Sequence, residues 1–150
     1  MNITIRSLRP DDADALFRLL SDPRVMRYLE PPYDRARVEA FLHSAGLAEP
    51  PLVYAAEENG IFIGYVIYHA YDEGSVEIGW VLLPAYWGRG YASALMDQLI
   101  DRAQREQKDV VLEWFPSQEA TKRIALKKGF CDHGSCGGLR IYRRSCQTPL

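Results

Sequence analysis

The residues best suited to ligand chemistry are two glycines and the backbone that follows them. In the run from Ser75 to Gln107, Gly88-Arg89-Gly90 separates a β-branched and apolar stretch (Val76, Ile78, Trp80, Val81, Leu82) from a long helical pattern. The first N–H groups of a helix have no intrahelical acceptor, and the helix dipole turns them into an anion site. Glycines there leave no β-carbon to cover those groups. The turn therefore reads either as a phosphate cradle made of main chain or as a plain tight turn. A P-loop needs Lys-Ser/Thr after its last glycine, where Tyr91-Ala92 stands, and a dinucleotide fingerprint needs a third glycine, where Ser93 stands. Arg89 lies inside the turn and is the cation best placed for a phosphate; Lys122 and Arg123 fall on a helix and read first as solvated surface. His43, His69 and His133 are scattered and suggest neither a triad nor a metal cluster. Cys131, Cys136 and Cys146 lack the paired spacing of a zinc site, so no metal is expected and the thiols read as free or buried.

Further residues on either side of the turn carry a resemblance. Trp87-Gly88-Arg89-Gly90-Tyr91-Ala92, preceded by Pro84-Ala85-Tyr86, resembles the acetyl-CoA motif of the GNAT N-acetyltransferase superfamily, Arg/Gln-x-x-Gly-x-Gly/Ala after a strand, with Trp87 in place of the first Arg/Gln. Gln118 to Phe130, a helix closing on Lys128-Gly129-Phe130, resembles the family's second motif, with Gln118 where Asn is usual. Ser21 to Leu29 is similar to the early helical segment of the Rim-type branch, related to ribosomal-protein N-terminal acetyltransferases. The resemblance implies one α/β domain over residues 1–150. Its mixed, mostly antiparallel sheet would have parallel strands 4 and 5 splayed around a slot for the pantetheine arm of CoA. It implies acetyl-CoA as co-substrate, held by Trp80, Val81, Leu82, Gly88, Arg89, Gly90, Tyr91, Ala92, Ser93 and Gln118. The acetyl group would pass directly to a primary amine in a ternary complex. The departures at Trp87, Gln118, Thr121 and Ala125 keep open an alternative, an acyl-CoA-binding sensor or interaction module without turnover.

Acetyl transfer to an amine needs the amine uncharged, the developing oxyanion stabilised and the leaving thiolate protonated. By the resemblance Glu77, on the strand that ends at Leu82, is the candidate base, acting directly or through water. Its other reading is an acid paired across the sheet. A backbone N–H at Val81-Leu82 is the expected oxyanion donor. Thr121 matches the position where the Rim-type branch has Ser and is the candidate acid, while its plainer role is a hydrogen bond to a helix carbonyl. Tyr142 or a water would serve in its place. Tyr28, Tyr33, Tyr65, Tyr68, Tyr71 and Trp80 either line an acceptor pocket or pack on a half-buried sheet. An α-amine titrates near ~8 and a lysine near ~10.4, so a weak base favours α-amines.

The elements that must position these groups follow from pattern. Ala92, Leu95, Met96, Leu99, Ile100 and Ala103 recur at helical spacing as one apolar face. Ile3 to Leu8 alternates like an edge strand. Pro10-Asp11-Asp12 suits a first helical turn, followed by a stripe of Ala13, Leu16, Phe17 and Leu20; Asp22-Pro23 and Asp34 open two more helices, the latter with Val38, Phe41, Leu42 and Ala45 on one face. Strands at Leu52–Glu57 and Ile61–Tyr68 meet at Asn59-Gly60, a hairpin signal, and Asp72-Glu73-Gly74 returns the chain to the strand at Val76, giving an antiparallel meander. Asp109–Trp114 follows the long helix at crossover length and is expected parallel to that strand. Ser117 is the expected cap of the next helix and Gly129 its left-handed terminus, before two short strands around Cys131–His133 and Leu139–Arg143 linked by Gly134–Gly138. A net charge of −2 over 150 residues gives no basic field, so nucleic acid is not an expected partner. No run reaches the ~20 apolar residues of a membrane span, and MNITIRSLRPDD has no apolar signal core. The chain reads as cytoplasmic, a monomer or homodimer that meets a small-molecule or peptide amine.

Overall fold

The computed structural model describes residues 1–114 and 118–149. Among the described residues, seven strands form one sheet in the order β1-β2-β3-β4-β5-β7-β6. They are β1 (Ile3–Ser7), β2 (Val53–Glu58), β3 (Ile61–Asp72), β4 (Ser75–Leu82), β5 (Asp109–Trp114), β6 (Cys131–Cys136) and β7 (Leu139–Arg144). The helices are α1 (Ala13–Leu20), α2 (Pro23–Met26), α3 (Arg35–Phe41), α4 (Tyr91–Arg105) and α5 (Glu119–Lys127). The chain divides into two compact units, Met1–Tyr68 with Trp80–Leu95, and His69–Gly79 with Met96–Leu150.

In the first unit, β1 takes the sheet edge its alternation suggests, pairing antiparallel with β2 from Ile3↔Glu58 to Ser7↔Tyr54. Asn59 and Gly60 both hold positive φ (50° and 81°), as a two-residue hairpin turn requires, and β2 pairs antiparallel with β3. Asp22 and Asp34 cap α2 and α3, accepting from the N–H groups of Arg24 and Arg37 at 2.8 Å each. Leu16, Leu19, Leu20, Val38, Val53 and Ala55 belong to the core beneath these helices. Phe17, expected in the buried stripe of α1, is only partly buried, and Leu19 is buried instead. The α3 stripe does not continue as α-helix: Leu42–Gly46 widens into a π turn, where a β-carbon on Gly46 would lie 2.7 Å from Leu8 Cδ1. Arg6 clamps the start of α1 to the sheet. Its guanidinium donates to both Asp12 oxygens at 2.8 Å and to Glu57 at 3.0 Å.

In the second unit, β4 runs parallel to β5 from Ser75↔Asp109 to Ile78↔Leu112, as the crossover length predicts. The helix leading into β5 ends in a Schellman motif: Lys108 N–H donates to Ala103 O (2.9 Å) and Gln107 N–H to Gln104 O (3.0 Å), with Gln107 at φ 59°. Gly129 ends α5 in the same way at φ 90°, with Phe130 N–H on Ala125 O at 3.0 Å. Ser117, the expected cap of α5, lies outside the described residues. The glycine-rich link expected over Gly134–Gly138 is shorter, since β6 extends through Cys136 and only Gly137-Gly138 turns. β7 pairs with β5, which leaves β6 at the edge. Arg144 is buried and donates to the carbonyls of Lys128 (2.6 Å), Thr148 (2.9 Å) and Pro149 (3.1 Å), tying the last turn of α5 to the C-terminal residues.

Candidate functional site

In the first unit, the cradle begins where β4 ends. Trp80 and Val81 are half-buried and Leu82 buried, and Leu83 N–H donates to Ile63 O at 2.9 Å. Gly64 permits this close approach of β3 and β4: a β-carbon there would stand 2.1 Å from Val81 O. A 3-10 turn, Pro84–Tyr86, then carries the chain to Trp87, whose indole N–H donates to Leu82 O at 2.9 Å. The residue that replaces the motif's usual Arg/Gln thus braces the loop against the strand it leaves.

Gly88 and Gly90 both hold left-handed φ, 67° and 86°. A β-carbon on Gly88 would meet no atom within 4 Å, and one on Gly90 would meet only Met1 Cε at 3.8 Å. The glycines are therefore required by backbone conformation, and they face open space. Ala94 N–H donates to Gly90 O at 3.1 Å. This is the first turn's closing bond, so the N–H groups of Tyr91, Ala92 and Ser93 precede any intrahelical acceptor. Such donors at a helix start, opened by glycines, suit a pyrophosphate.

Arg89 folds back on the loop. It donates to Ala85 O at 3.0 Å and lies 5.7 and 5.4 Å from the centroids of the Tyr86 and Tyr91 rings. The Tyr91 side chain is buried, and a hydrogen bond to Glu58 raises its hydroxyl above the usual tyrosine range. Tyr91 thus contributes its N–H to the helix start while its ring packs elsewhere.

The second unit holds the candidate acid and base. Glu77 is half-buried on β4, three residues before Trp80. Burial first, and the charge of Glu113 on β5 second, hold its carboxyl above the ordinary range, while His69 pulls the other way. His69 Nε2 lies 3.8 Å from Glu77 Oε2, and His69 Nδ1 lies 2.9 Å from Ala70 O. Sequence reading left His69 among scattered histidines; its proximity to Glu77 comes from the hairpin turn between β3 and β4. Tyr71 is exposed, yet local desolvation and then Glu113, with which it shares a hydrogen bond, raise its hydroxyl. Thr121 sits half-buried in the first turn of α5, and Gln118 is the residue just before that helix. Tyr142 is buried with its ring 5.0 Å from Trp114, whose buried indole N–H has no partner among the described residues.

The aromatics divide. Tyr65 and Tyr68 are core, Tyr28 and Tyr71 are exposed, and Tyr33 stacks under Arg37 and bonds Glu30. No helix among the described residues is long and apolar enough to cross a membrane. The described residues also contain no group of three or more His, Cys, Asp or Glu side chains arranged to hold a metal ion.

Comparison with known proteins adds three likenesses and one family match. Residues 2–131 match the model of the acetyltransferase (GNAT) domain. The uncharacterized N-acetyltransferase YoaA of Bacillus subtilis is 25% identical, covering 98% of this chain and 88% of its own. A GNAT-family acetyltransferase from Bacillus anthracis has the same fold, with a TM-score of 0.85 at 21% identity over 99% of this chain and 97% of that one. The spermidine N-acetyltransferase of Vibrio cholerae, solved with CoA and spermine, superposes with a TM-score of 0.78 at 18% identity, covering 95% and 93% of the two chains.

Proposed function

The chain belongs to the GNAT acetyltransferase family and is an N-acetyltransferase, and on that premise we propose that it moves the acetyl group of acetyl-CoA directly to a primary amine within a ternary complex. The observation that carries the proposal is the pair of left-handed glycines, Gly88 and Gly90, whose missing β-carbons face open space at the start of α4. In this reading the N–H groups of Tyr91, Ala92 and Ser93 hold the pyrophosphate, with Gly88 and Gly90 leaving room for it. The Trp80–Leu82 edge meets the pantetheine arm, Gln118 adds a polar contact, and Arg89 braces the loop from which it projects. A main-chain N–H near Val81-Leu82 supports the oxyanion, Glu77 serves as base and Thr121 meets the leaving thiolate. The domain spans residues 1–150.

The acceptor in this reading is a protein N-terminus or a small-molecule amine. The Ser21–Leu29 likeness to the Rim-type branch supports the first, and the fold shared with a spermidine acetyltransferase supports including polyamines.

The test is a thermal shift with acetyl-CoA, CoA and ATP, followed by free-thiol release against a panel of peptide and small amines. A ligand that binds only the folded state raises the melting temperature by mass action. Stabilisation by acetyl-CoA and CoA but not ATP, with acceptor-dependent thiol release, is the expected result. Absence of any response to acetyl-CoA refutes the cradle, and stabilisation without release from any amine refutes direct transfer.

A further inference from the structure

The contacts of His69 define its protonation pattern. Ala70 O can only accept a hydrogen bond, so the Nδ1 atom 2.9 Å away carries the ring proton. In the neutral ring Nε2 is then an unprotonated acceptor, and it faces Glu77 Oε2 at 3.8 Å. Two acceptors that close repel, and the repulsion is relieved either by a proton on Nε2, which makes an ion pair, or by a group that brings such a proton and a second donor to the pair. A nitrogen about 2.9 Å from each subtends roughly 80° between them, close enough to the tetrahedral angle for two N–H bonds to point at both. A primary ammonium fits this description.

We infer that His69 and Glu77 together seat the acceptor amine, His69 Nε2 taking the proton of the ammonium while Glu77 balances its charge. This rests on the acetyl-transfer reading given above and moves the role of proton acceptor from Glu77 to its neighbour His69, Glu77 keeping the charge. The step balances as follows. The ammonium R–NH3+ gives one proton to Nε2, leaving R–NH2 and an imidazolium beside the Glu77 carboxylate. The amine lone pair attacks the thioester carbonyl carbon, a C–N bond forms, and the C–S bond breaks with its electron pair leaving on sulfur. The second amine proton ends on the thiolate, and the imidazolium returns its proton to solvent.

The groups around the pair set the substrate class. Glu113 lies on β5 two residues past Val111, the register partner of Glu77, so it shares the sheet face of Glu77 and adds a second negative charge there, and Tyr71 bonds Glu113. A cation is favoured there. A free amino acid, whose carboxylate sits next to its amine, meets two carboxylates; a peptide N-terminus, an amino-acid amide or a polyamine does not. The structure thus assigns the site to amines without an adjacent acid group.

Three measurements decide. The first is 15N NMR of His69 in the wild-type protein, which is expected to show the Nδ1–H tautomer in the neutral ring; an Nε2–H tautomer overturns the assignment without reference to activity. The second is the titration of the Glu77 carboxyl by 13C NMR in the wild type and in His69→Gln. It is expected to move up when the ring that pulls it down is removed, and an unmoved titration overturns the pair. The third is kcat/KM against pH for an amino-acid amide and the matching free acid. His69→Gln is expected to lose about 10²-fold with disappearance of one ionisation from the profile, while its stabilisation by acetyl-CoA stays at the wild-type level. The amide is expected to exceed the free acid at least tenfold, with the gap narrowing in Glu113→Gln. A His69→Gln profile that keeps the wild-type shape and rate refutes proton transfer to His69 while leaving the cradle standing; loss of acetyl-CoA stabilisation in the wild type refutes the cradle and leaves the tautomer and titration to judge the seat.

Discussion

Replacing Gly90 with alanine separates backbone strain from ligand contact. The residue holds φ 86°, and its added β-carbon would meet only Met1 Cε at 3.8 Å, so the fold itself has room for it. The penalty to folding is the left-handed conformation alone, about 1–2 kcal/mol for a residue with a β-carbon. For a chain of this size that lowers Tm by about 2–8 °C. Gly60 makes a matched control. It holds φ 81°, a β-carbon there meets nothing within 4 Å, and it sits at the β2–β3 hairpin rather than at the helix start. Both variants should therefore lose similar stability without ligand. They should differ with it: acetyl-CoA at about 100 times its Kd adds about 2.7 kcal/mol to the folded state, a gain expected in the wild type and Gly60→Ala and absent in Gly90→Ala. Thermal melts with and without acetyl-CoA read all six values. A Gly90→Ala protein that keeps the full ligand-induced shift refutes the cradle, and a Gly60→Ala protein that loses it shows that strain rather than contact controls binding.

Three further outcomes are expected. Asp12→Ala removes the carboxylate that Arg6 and Arg9 N–H both use and leaves the Arg6 guanidinium half-paired; it should cost about 3 kcal/mol by chemical denaturation at neutral pH. Because Arg6 holds the Asp12 carboxyl below its ordinary range, that difference should be present above about pH 4 and vanish as the pH falls through the lowered value. Glu77→Gln should work in the opposite sense. The Glu77 carboxyl is held above its ordinary range, so ionising it weakens the fold, and the glutamine variant should be the more stable one above the raised value, with the advantage disappearing below about pH 4; melts from pH 3 to pH 8 that never cross or diverge would contradict this. Arg144→Met keeps much of the buried volume but strips the donors from the carbonyls of Lys128, Thr148 and Pro149, and should cost about 2–4 kcal/mol. Hydrogen exchange should then rise first in residues 145–148, and unchanged exchange there would show that the arginine does not hold the C-terminal residues.

Much of the scaffold was legible because its signals are local. Leu95, Met96, Leu99, Ile100 and Ala103 are all buried, as a 3.6-residue period demands of one helix face, and Ala92 is partly so. Asn59-Gly60 turned a hairpin, Asp34 capped a helix and Gly129 ended one because each effect depends on a residue and its near neighbours. Other features had no such signal. Gln107 takes a left-handed conformation that glycine usually fills, Leu42–Gly46 forms a π turn with Gly46 close against Leu8, and β7 rather than β6 pairs with β5. That Trp87 departs from the glycine motif was readable, but its bond to Leu82 O was not.

The amino-acid sequence alone determined the order of elements, the parallel crossover from β4 to β5 and the glycine turn at the head of α4. Periodicity, φ preference and chain length act over a few residues and need no knowledge of the rest of the fold. Only the tertiary structure decided that both cradle glycines face open space, that Arg89 turns back onto Ala85 and two tyrosine rings, and that His69 meets Glu77. These outcomes depend on which side chains share a sheet face and how closely two strands approach. A one-residue slip in register moves every side chain of a strand to the opposite face, so the approach of His69 to Glu77 could not be read from the spacing of the two residues.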